Sequence, residues 1–521
     1  MTNAAALSAD RQTRLYLYLI IALGLCLRLV YFSEDIGGSH TFRQAMVANQ
    51  IDSLKSKPYP GPKLGFLERY DQTYDYGIVF YDTPIYQYVA AKLSDVLNLS
   101  AVRGARLVNL AVYVGTSLIF CEILTLLGLG FPVTSLTMIL LAVSPLAIQN
   151  IIGIYPDALA TLAAYLSFYF LLQYERQRTW RRFGAALAFG AVCTLIKSSI
   201  YVVFIVAYGW NLLWAQRWRV LFRVDAMLFA LLIAASVAAF VLERTYFNYG
   251  QVLGATGSNY DESLRLSWFL GSEAQRLDPS QWRLLGERFT FEYLFPAFMP
   301  LALIGLWRVI RQFVRKPVDP QRTLLGLVVG SFATILLFFN VIVIHDYYAL
   351  PLLPIYCALA SIGLLYLYSM LGPPLARHRR AYAILVAAGI FGAIEYAYSL
   401  QLLNYNGNRA GIEIGKDLQD LVPGDGYVFY LQPADVTNPE HLYYARRRGV
   451  LANIEAADNA FISQTIRDHR WNPDNIYLLA HTLRFLPVQL DRLKARLDKY
   501  ELRDIGTSFD RGIVYKLVPK A

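Results

Sequence analysis

Runs of about 20 consecutive apolar residues recur along this chain, each long enough for a helix to cross the roughly 30 Å hydrocarbon core of a bilayer. They fall near 15–32, 105–127, 132–150, 157–174, 226–243, 291–310, 323–344, 347–369 and 381–400. The stretch 183–214 is apolar throughout but interrupted by Lys197, Ser198 and Ser199, which predicts two short helices meeting at a bend. The expectation is an all-α polytopic membrane protein of about eleven transmembrane helices. Composition agrees, with 56% of 521 residues hydrophobic and 17% charged, a balance ill suited to a water-facing surface. The first run is too long for a signal peptide and no small-residue cleavage pattern follows it, so it reads as the first membrane helix.

The formal charge of +10 sits mostly in short loops between apolar runs, a topology signal and not the clustered basic face that nucleic acid requires. Nucleic acid is excluded as a partner; membrane lipids are implied. Arg11 and Arg14, Arg176 to Arg182, Arg217 to Arg223, Arg315 with Lys316, and Arg377 to Arg380 come out cytoplasmic together, so the N-terminus is inside and the tail outside a bacterial inner membrane. Residues 1–402 form the membrane domain, including a first outer loop, 33–103. In that loop Thr41 to Leu54 and Pro84 to Leu97 show helical spacing and predict two interfacial helices. Residues 403–521 alternate helix and strand patterns, at 414–421, 427–431, 439–448, 458–469, 476–480, 488–500 and 512–517, and predict a small outer-face α/β domain with a packing or acceptor-recruiting role. Cys26, Cys121, Cys193 and Cys357 all lie in apolar segments and read as small buried hydrophobes.

Charged groups at membrane depth are expensive, so those at the outer ends of the spans are the candidates for chemistry. The first outer loop offers Glu34, Asp35, His40, Arg43, Gln44 and Asp82. Asp157 follows Pro156 at the start of the fourth span, Lys197 stands at the bend, and His345 with Asp346 precedes Tyr347 and Tyr348. Each has a plainer reading as well. Asp157 suits a helix N-terminus on dipole grounds; Lys197 could snorkel to the interface; His345 could anchor a helix end; Arg43 could pair with Glu34 or Asp35.

The segments His-Thr-Phe-Arg-Gln (40–44), Tyr-Asp-Thr-Pro-Ile-Tyr (81–86), Ala-Arg-Leu-Val-Asn-Leu (105–110), Ser-Pro (144–145) leading to Tyr-Pro-Asp (155–157), Leu-Ile-Lys (195–197) and His-Asp-Tyr-Tyr-Ala-Leu-Pro-Leu-Leu-Pro (345–354) resemble the ordered landmarks of the superfamily C glycosyltransferases. Family 39 and its neighbours, which include protein O-mannosyltransferases and the lipid A aminoarabinose transferase, are the relatives it looks like over roughly residues 15–400. The resemblance implies a polyprenyl-phosphate sugar donor, a groove between helices for its lipid tail, and transfer to a glycan, lipid or protein acceptor at the outer membrane face. Relatives open the first outer helix with an Asp-Glu pair, where this chain has His40-Thr41, so the resemblance leaves the base open. Asp82 is put first, with Asp157 as its partner; Asp35 and His40 are the other candidates. Donor phosphate binding is assigned to Arg43, Gln44, Lys197, His345 and Tyr347.

The reaction expected is a single displacement with inversion; no cofactor is identified, and a divalent metal is left open, since no tight His/Asp/Glu spacing marks a metal site. The rival class is a multi-pass transporter or lipid flippase, against which stand the absence of a repeated half and the placing of charges at the membrane edge instead of its midplane. A membrane scaffold that binds through its tail is a third reading.

Overall fold

A computed structural model describes residues 2–33, 35–38, 40–56, 83–216, 223–243, 269–316, 318–370, 379–407, 409–432, 440–455, 457–469, 471–481, 487–508 and 512–520. In chain order the helices are α1 (Thr2–Leu29), α2 (Thr41–Leu54), α3 (Ile85–Leu97), α4 (Ala101–Leu126), α5 (Phe131–Val143), α6 (Pro145–Ile152), α7 (Asp157–Gln177), α8 (Trp180–Gln216), α9 (Val224–Glu243), α10 (Glu273–Leu277), α11 (Pro279–Glu287), α12 (Phe298–Arg315), α13 (Asp319–Leu337), α14 (Phe339–Ile344), α15 (Leu353–Met370), α16 (Arg379–Gly407) and α17 (Arg409–Leu421). A small C-terminal sheet follows. The chain divides into two compact units, one of Met1–Glu34, Arg106–Val241 and Asp261–Gln401, the other of Asp35–Ala105, Leu242–Tyr260 and Leu402–Ala521. The sequence had placed a single cut near residue 402; here the first loop groups with the tail.

The first unit is a bundle of apolar helices, and the protein is a multi-pass membrane protein. Among the described residues six helices are long and apolar enough to cross a membrane, or eight when each of two bent pairs is one span. The expected eleven additionally counts α7, α9 and the two arms of α8 one by one. Those arms are real. Lys197 has extended backbone (φ −158°, ψ 90°) inside the helical run, and Ser167 of α7 touches both sides of it, donating to Ala186 O at 2.7 Å and meeting the Tyr201 hydroxyl at 2.5 Å. Along a straight helix Ala186 and Tyr201 would be about 22 Å apart, so α8 folds back on itself at Lys197.

Several expected spans are broken, among them the run 291–310, which bends by 108° between Tyr293 and Phe298. The run 132–150 becomes α5 and α6, bent by 57° at Ser144, because Pro145 has no N–H to offer Leu141 O and its ring clashes with that carbonyl. Arg28 of α1 takes over: its guanidinium donates to Leu141 O at 3.3 Å, Ala142 O at 3.0 Å and its own Gly24 O at 2.7 Å, lying 3.9 Å from the Tyr113 ring centroid. The run 323–344 is likewise divided into α13 and α14 at Phe338.

At the other end of the bundle Glu175, Arg178, Arg223 and Asp225 form one network. Arg178 reaches Glu175 at 2.6 Å and Asp225 at 3.3 Å, Arg223 reaches Glu175 at 3.1 Å and also pairs with Asp225, and the Tyr208 hydroxyl donates to Glu175 at 2.8 Å. The C-terminal end of α7 and the first residues of α9 therefore lie at the same end.

Within the second unit α2 and α3 form the expected helix pair, tied by Gln87 to Gln50 at 2.9 Å and Lys55 to Leu99 O at 3.0 Å. The tail adds β1 (Tyr427–Gln432), α18 (Glu440–Ala445), β2 (Arg448–Asn453), α19 (Asn459–His469), β3 (Ile476–His481), α20 (Pro487–Arg496), β4 (Tyr500–Ser508) and β5 (Gly512–Pro519). Their order in the sheet is β2-β1-β3-β5-β4, with β1 parallel to β2 and β3, and β5 antiparallel to β3 and β4. Successive β1 residues alternate between two cores, Val428 and Tyr430 into one, Phe429 and Leu431 into the other, as a strand covered on both faces must. Two strands depart from the sequence reading. The helix expected to 448 stops at Ala445, since Arg446 is left-handed (φ 49°), and β2 follows. The helix expected to reach Tyr500 ends at Arg496, and β4, rich in charge, is an edge strand whose pattern resembles no buried strand.

Close packing of α12 on α15 depends on two glycines. A Cβ on Gly305 of α12 would lie 1.8 Å from Leu359 O, and one on Gly363 of α15 would lie 2.0 Å from Leu301 O, so these helices meet backbone to backbone. Gly305→Val should lower the unfolding midpoint of detergent-purified protein by the equivalent of about 1–3 kcal/mol or more. Gly184→Ala, in α8 where a Cβ meets open space, should leave it unchanged or raise it slightly.

Candidate active site

Three chain segments of the first unit deliver polar side chains to one buried place. The first is the turn from α6 to α7, where Pro156 precedes Asp157, the first residue of α7, whose carboxylate is favoured at a helix N-terminus. The second is the break in α8 at Lys197. The third is the short 3-10 helix Asp346–Leu352, which follows His345 and contains Pro351.

The contacts are direct. Lys197 Nζ lies 3.7 Å from Asp157 Oδ1, 4.6 Å from the Tyr348 ring centroid and 5.8 Å from that of Tyr347. Tyr347 stacks at 5.0–5.1 Å against Tyr348, His345 and Tyr155. Gln149 of α6 donates to Asp346 Oδ2 at 2.6 Å, and Tyr165 of α7 donates to Pro351 O at 2.8 Å, so the 3-10 segment is held from two sides. Asp157 is 0% exposed and Lys197 6%. Lys197 therefore does not snorkel: a snorkelling lysine keeps its ammonium in water, and this one is enclosed. A buried ion pair contributes little net stability, and clustered buried charge of this kind is a mark of functional sites.

The structure thus brings together Asp157, Lys197, His345 and Tyr347 from the residues singled out in the sequence. It adds Tyr155, Tyr348 and the Gln149–Asp346 bond. Gln149 had a usable signal, being a polar side chain deep in an apolar run; Tyr155 had none beyond its place in Tyr-Pro-Asp.

Of the remaining candidates, Asp35, His40, Arg43 and Gln44 belong to the second unit, and Glu34 lies outside the described residues. Asp35 is exposed, while Arg43 and Gln44 are buried in the first turn of α2. Gln44 spends its amide on Gly37 O at 2.8 Å, folding the preceding segment back. His40 stands at the N-cap of α2 in the left-handed region (φ 54°, ψ 42°) and makes no capping bond, a conformation that costs a non-glycine residue about 1 kcal/mol. Asp82, put first as the base, lies outside the described residues. Among the described residues no three His, Cys, Asp or Glu side chains group so as to hold a metal ion.

No family model matches the chain, and no curated protein matches it by sequence. Solved structures match its fold. The apo oligosaccharyltransferase of Archaeoglobus fulgidus aligns with a TM-score of 0.57 at 11% identity, over 90% of this chain and 69% of that one. ArnT from Cupriavidus metallidurans bound to undecaprenyl phosphate aligns with a TM-score of 0.54 at 14% identity, over 96% of this chain and 97% of that one. Apo ArnT gives 0.57 at the same identity and coverage. Both neighbours are superfamily C glycosyltransferases, and theirs is the fold of this chain.

Proposed function

We propose that this protein transfers a sugar from a polyprenyl-phosphate-linked donor to an acceptor hydroxyl at the outer face of a bacterial inner membrane. The observation that carries the reading is the buried Lys197, held beside Asp157 and against the faces of Tyr347 and Tyr348. Support also comes from the neighbours, one of which was solved with undecaprenyl phosphate and the other tethered to an acceptor peptide.

In the proposed reaction the acceptor oxygen attacks the anomeric carbon as the bond to the polyprenyl phosphate breaks, with inversion. A carboxylate takes the acceptor's proton, and the phosphate leaves with the bonding electron pair. Lys197 neutralises the charge that grows on the departing phosphate, and because its ammonium is already desolvated and oriented, that stabilisation needs little reorganisation. Asp157 keeps the ammonium in place. The stack Tyr155–Tyr347–His345 supplies an apolar wall with polar rims, suited to a sugar or an isoprenoid phosphate. The domain at 403–521 is assigned to recruiting the acceptor.

Release of polyprenyl phosphate by the detergent-purified protein from a panel of undecaprenyl-phosphate monosaccharides tests the class; protein that releases none from any donor, with any acceptor fraction of the envelope, overturns it. Lys197→Ala should weaken undecaprenyl phosphate binding and lower turnover together, since a phosphate contact acts in both ground and transition states. Asp157→Asn should lower turnover by about 10²-fold with a smaller change in binding. Asp82→Asn tests the assigned base in the same assay and should cost at least as much.

The orientation has its own test. In a protein with Cys26 replaced by Ser, a cysteine at exposed Asp474 should react with an impermeant maleimide added outside intact cells, and one at exposed Lys316 should react only after lysis. The reverse pattern would overturn the topology.

A further inference from the structure

The motif Ala-Arg-Leu-Val-Asn-Leu at 105–110 takes no part in the chemistry above, yet it contains two fully buried polar side chains. Arg106 is 2% exposed and Asn109 0%. They stand three residues apart, on one face of α4. Arg106 Nε donates to Ile152 O at 2.8 Å and its Nη1 to Phe32 O at 3.1 Å. Asn109 Nδ2 donates to Gly153 O at 2.6 Å and Ile151 O at 3.3 Å. The two side chains therefore hold three successive carbonyls, 151 to 153, where α6 ends and the backbone turns toward Tyr155 and Asp157.

That turn has little slack. Gly153 is extended (φ −67°, ψ 166°), and a Cβ on it would lie 2.3 Å from Cε2 of Tyr155, so the tyrosine ring is folded against its backbone. The same ring stacks on Tyr347 at 5.1 Å. Two residues on, Asp157 begins α7 with its carboxylate on Lys197. A shift in the last carbonyls of α6 would travel through a short, tightly packed segment straight to the ion pair.

We propose that Arg106 and Asn109 are positioning residues: by ligating the end of α6 they set where Tyr155 and the Asp157 carboxylate stand relative to Lys197. The proposal rests on the reading of Asp157 and Lys197 given under the proposed function. Arginine suits the task because its planar fork serves two carbonyls from different segments, which a lysine ammonium does less well. Asparagine suits it because its amide supplies two N–H donors without charge.

The test is a double-mutant cycle on the full-length protein, using the undecaprenyl-phosphate sugar accepted in the release assay as donor. Asn109→Ala should lower kcat by about 10- to 100-fold, on the scale expected when a reacting group is misplaced by an ångström, with the Kd for undecaprenyl phosphate changed less than threefold. In an Asp157→Asn background the same substitution should cost less than threefold, because the group it positions has already been lost. Arg106→Lys should keep more activity than Arg106→Gln. Asn109→Ser, which keeps a short donor, stands in if Asn109→Ala does not fold. Equal losses from Asn109→Ala in both backgrounds, or an unchanged kcat in the parent, would overturn the positioning role and leave the proposed function intact. Full turnover by Asp157→Asn alone would overturn the site reading, and the positioning role with it.

Discussion

A backbone carbonyl released from its helix inside a membrane bundle has no water to turn to and must find a donor from the protein. This chain breaks its helices repeatedly, at Ser144, at Gly153, at Lys197, at Phe338 and at His345, and the architecture of the first unit is largely the set of answers to those breaks. Arg28 serves the end of α5, Arg106 and Asn109 the end of α6, and Tyr165 the 3-10 segment. Ser144 donates to Tyr293 O at 2.6 Å. Arg276 donates to Leu336 O at 3.1 Å near the end of α13. In each case the donor comes from another element, so every satisfied break is also a tertiary tie.

The breaks surround the candidate site because a continuous helix cannot present a charged side chain and free backbone at one level. At Lys197 the return of the chain puts the lysine at the apex of a helical hairpin, with its arms of about 26 and 28 Å running back through the bundle. At Asp157 the break supplies a helix N-terminus, where a carboxylate is welcome. At His345 it allows four consecutive residues, His345 to Tyr348, to be buried together, which the alternating exposure of a surface helix would forbid.

What the sequence disclosed follows from this division. Spans are legible because a bilayer imposes a length and a polarity on each one, and the bend at Lys197 is legible because Lys197, followed by two serines, is the only charge in a long apolar run. Asp157, Lys197, His345 and Tyr347 could be singled out because charge or clustered aromatic character at the end of a span is costly without a reason. The arginine clamps were not legible. Arg28 and Arg106 sit near span ends, where the positive residues of loops and those of the interior look alike, and their partners lie 114 and 46 residues away. In the tail, β4 escaped because its polar composition hides an edge strand, and Arg446 ends α18 by a backbone conformation that no side-chain pattern announces.

The two carboxylates of α7 stand at opposite ends of its helix dipole. Glu175 lies near the C-terminus, where the helix dipole disfavours it, and it is closed off by two arginines and a tyrosine hydroxyl at 2.6–3.1 Å. Those contacts are charge-assisted hydrogen bonds, and opening them for a ligand would leave a carboxylate at the unfavourable end of a helix. Asp157 lies at the favoured end, and Lys197 meets it at 3.7 Å, beyond hydrogen-bond reach, with ring faces beneath the ammonium. In the proposed reaction a phosphate oxygen would approach that ammonium to the 2.7–2.9 Å of a charge-assisted bond. Asp157 would keep the dipole's stabilisation throughout. In the proposed function the departing phosphate would therefore meet a desolvated ammonium that Asp157 and two tyrosine rings already hold in place.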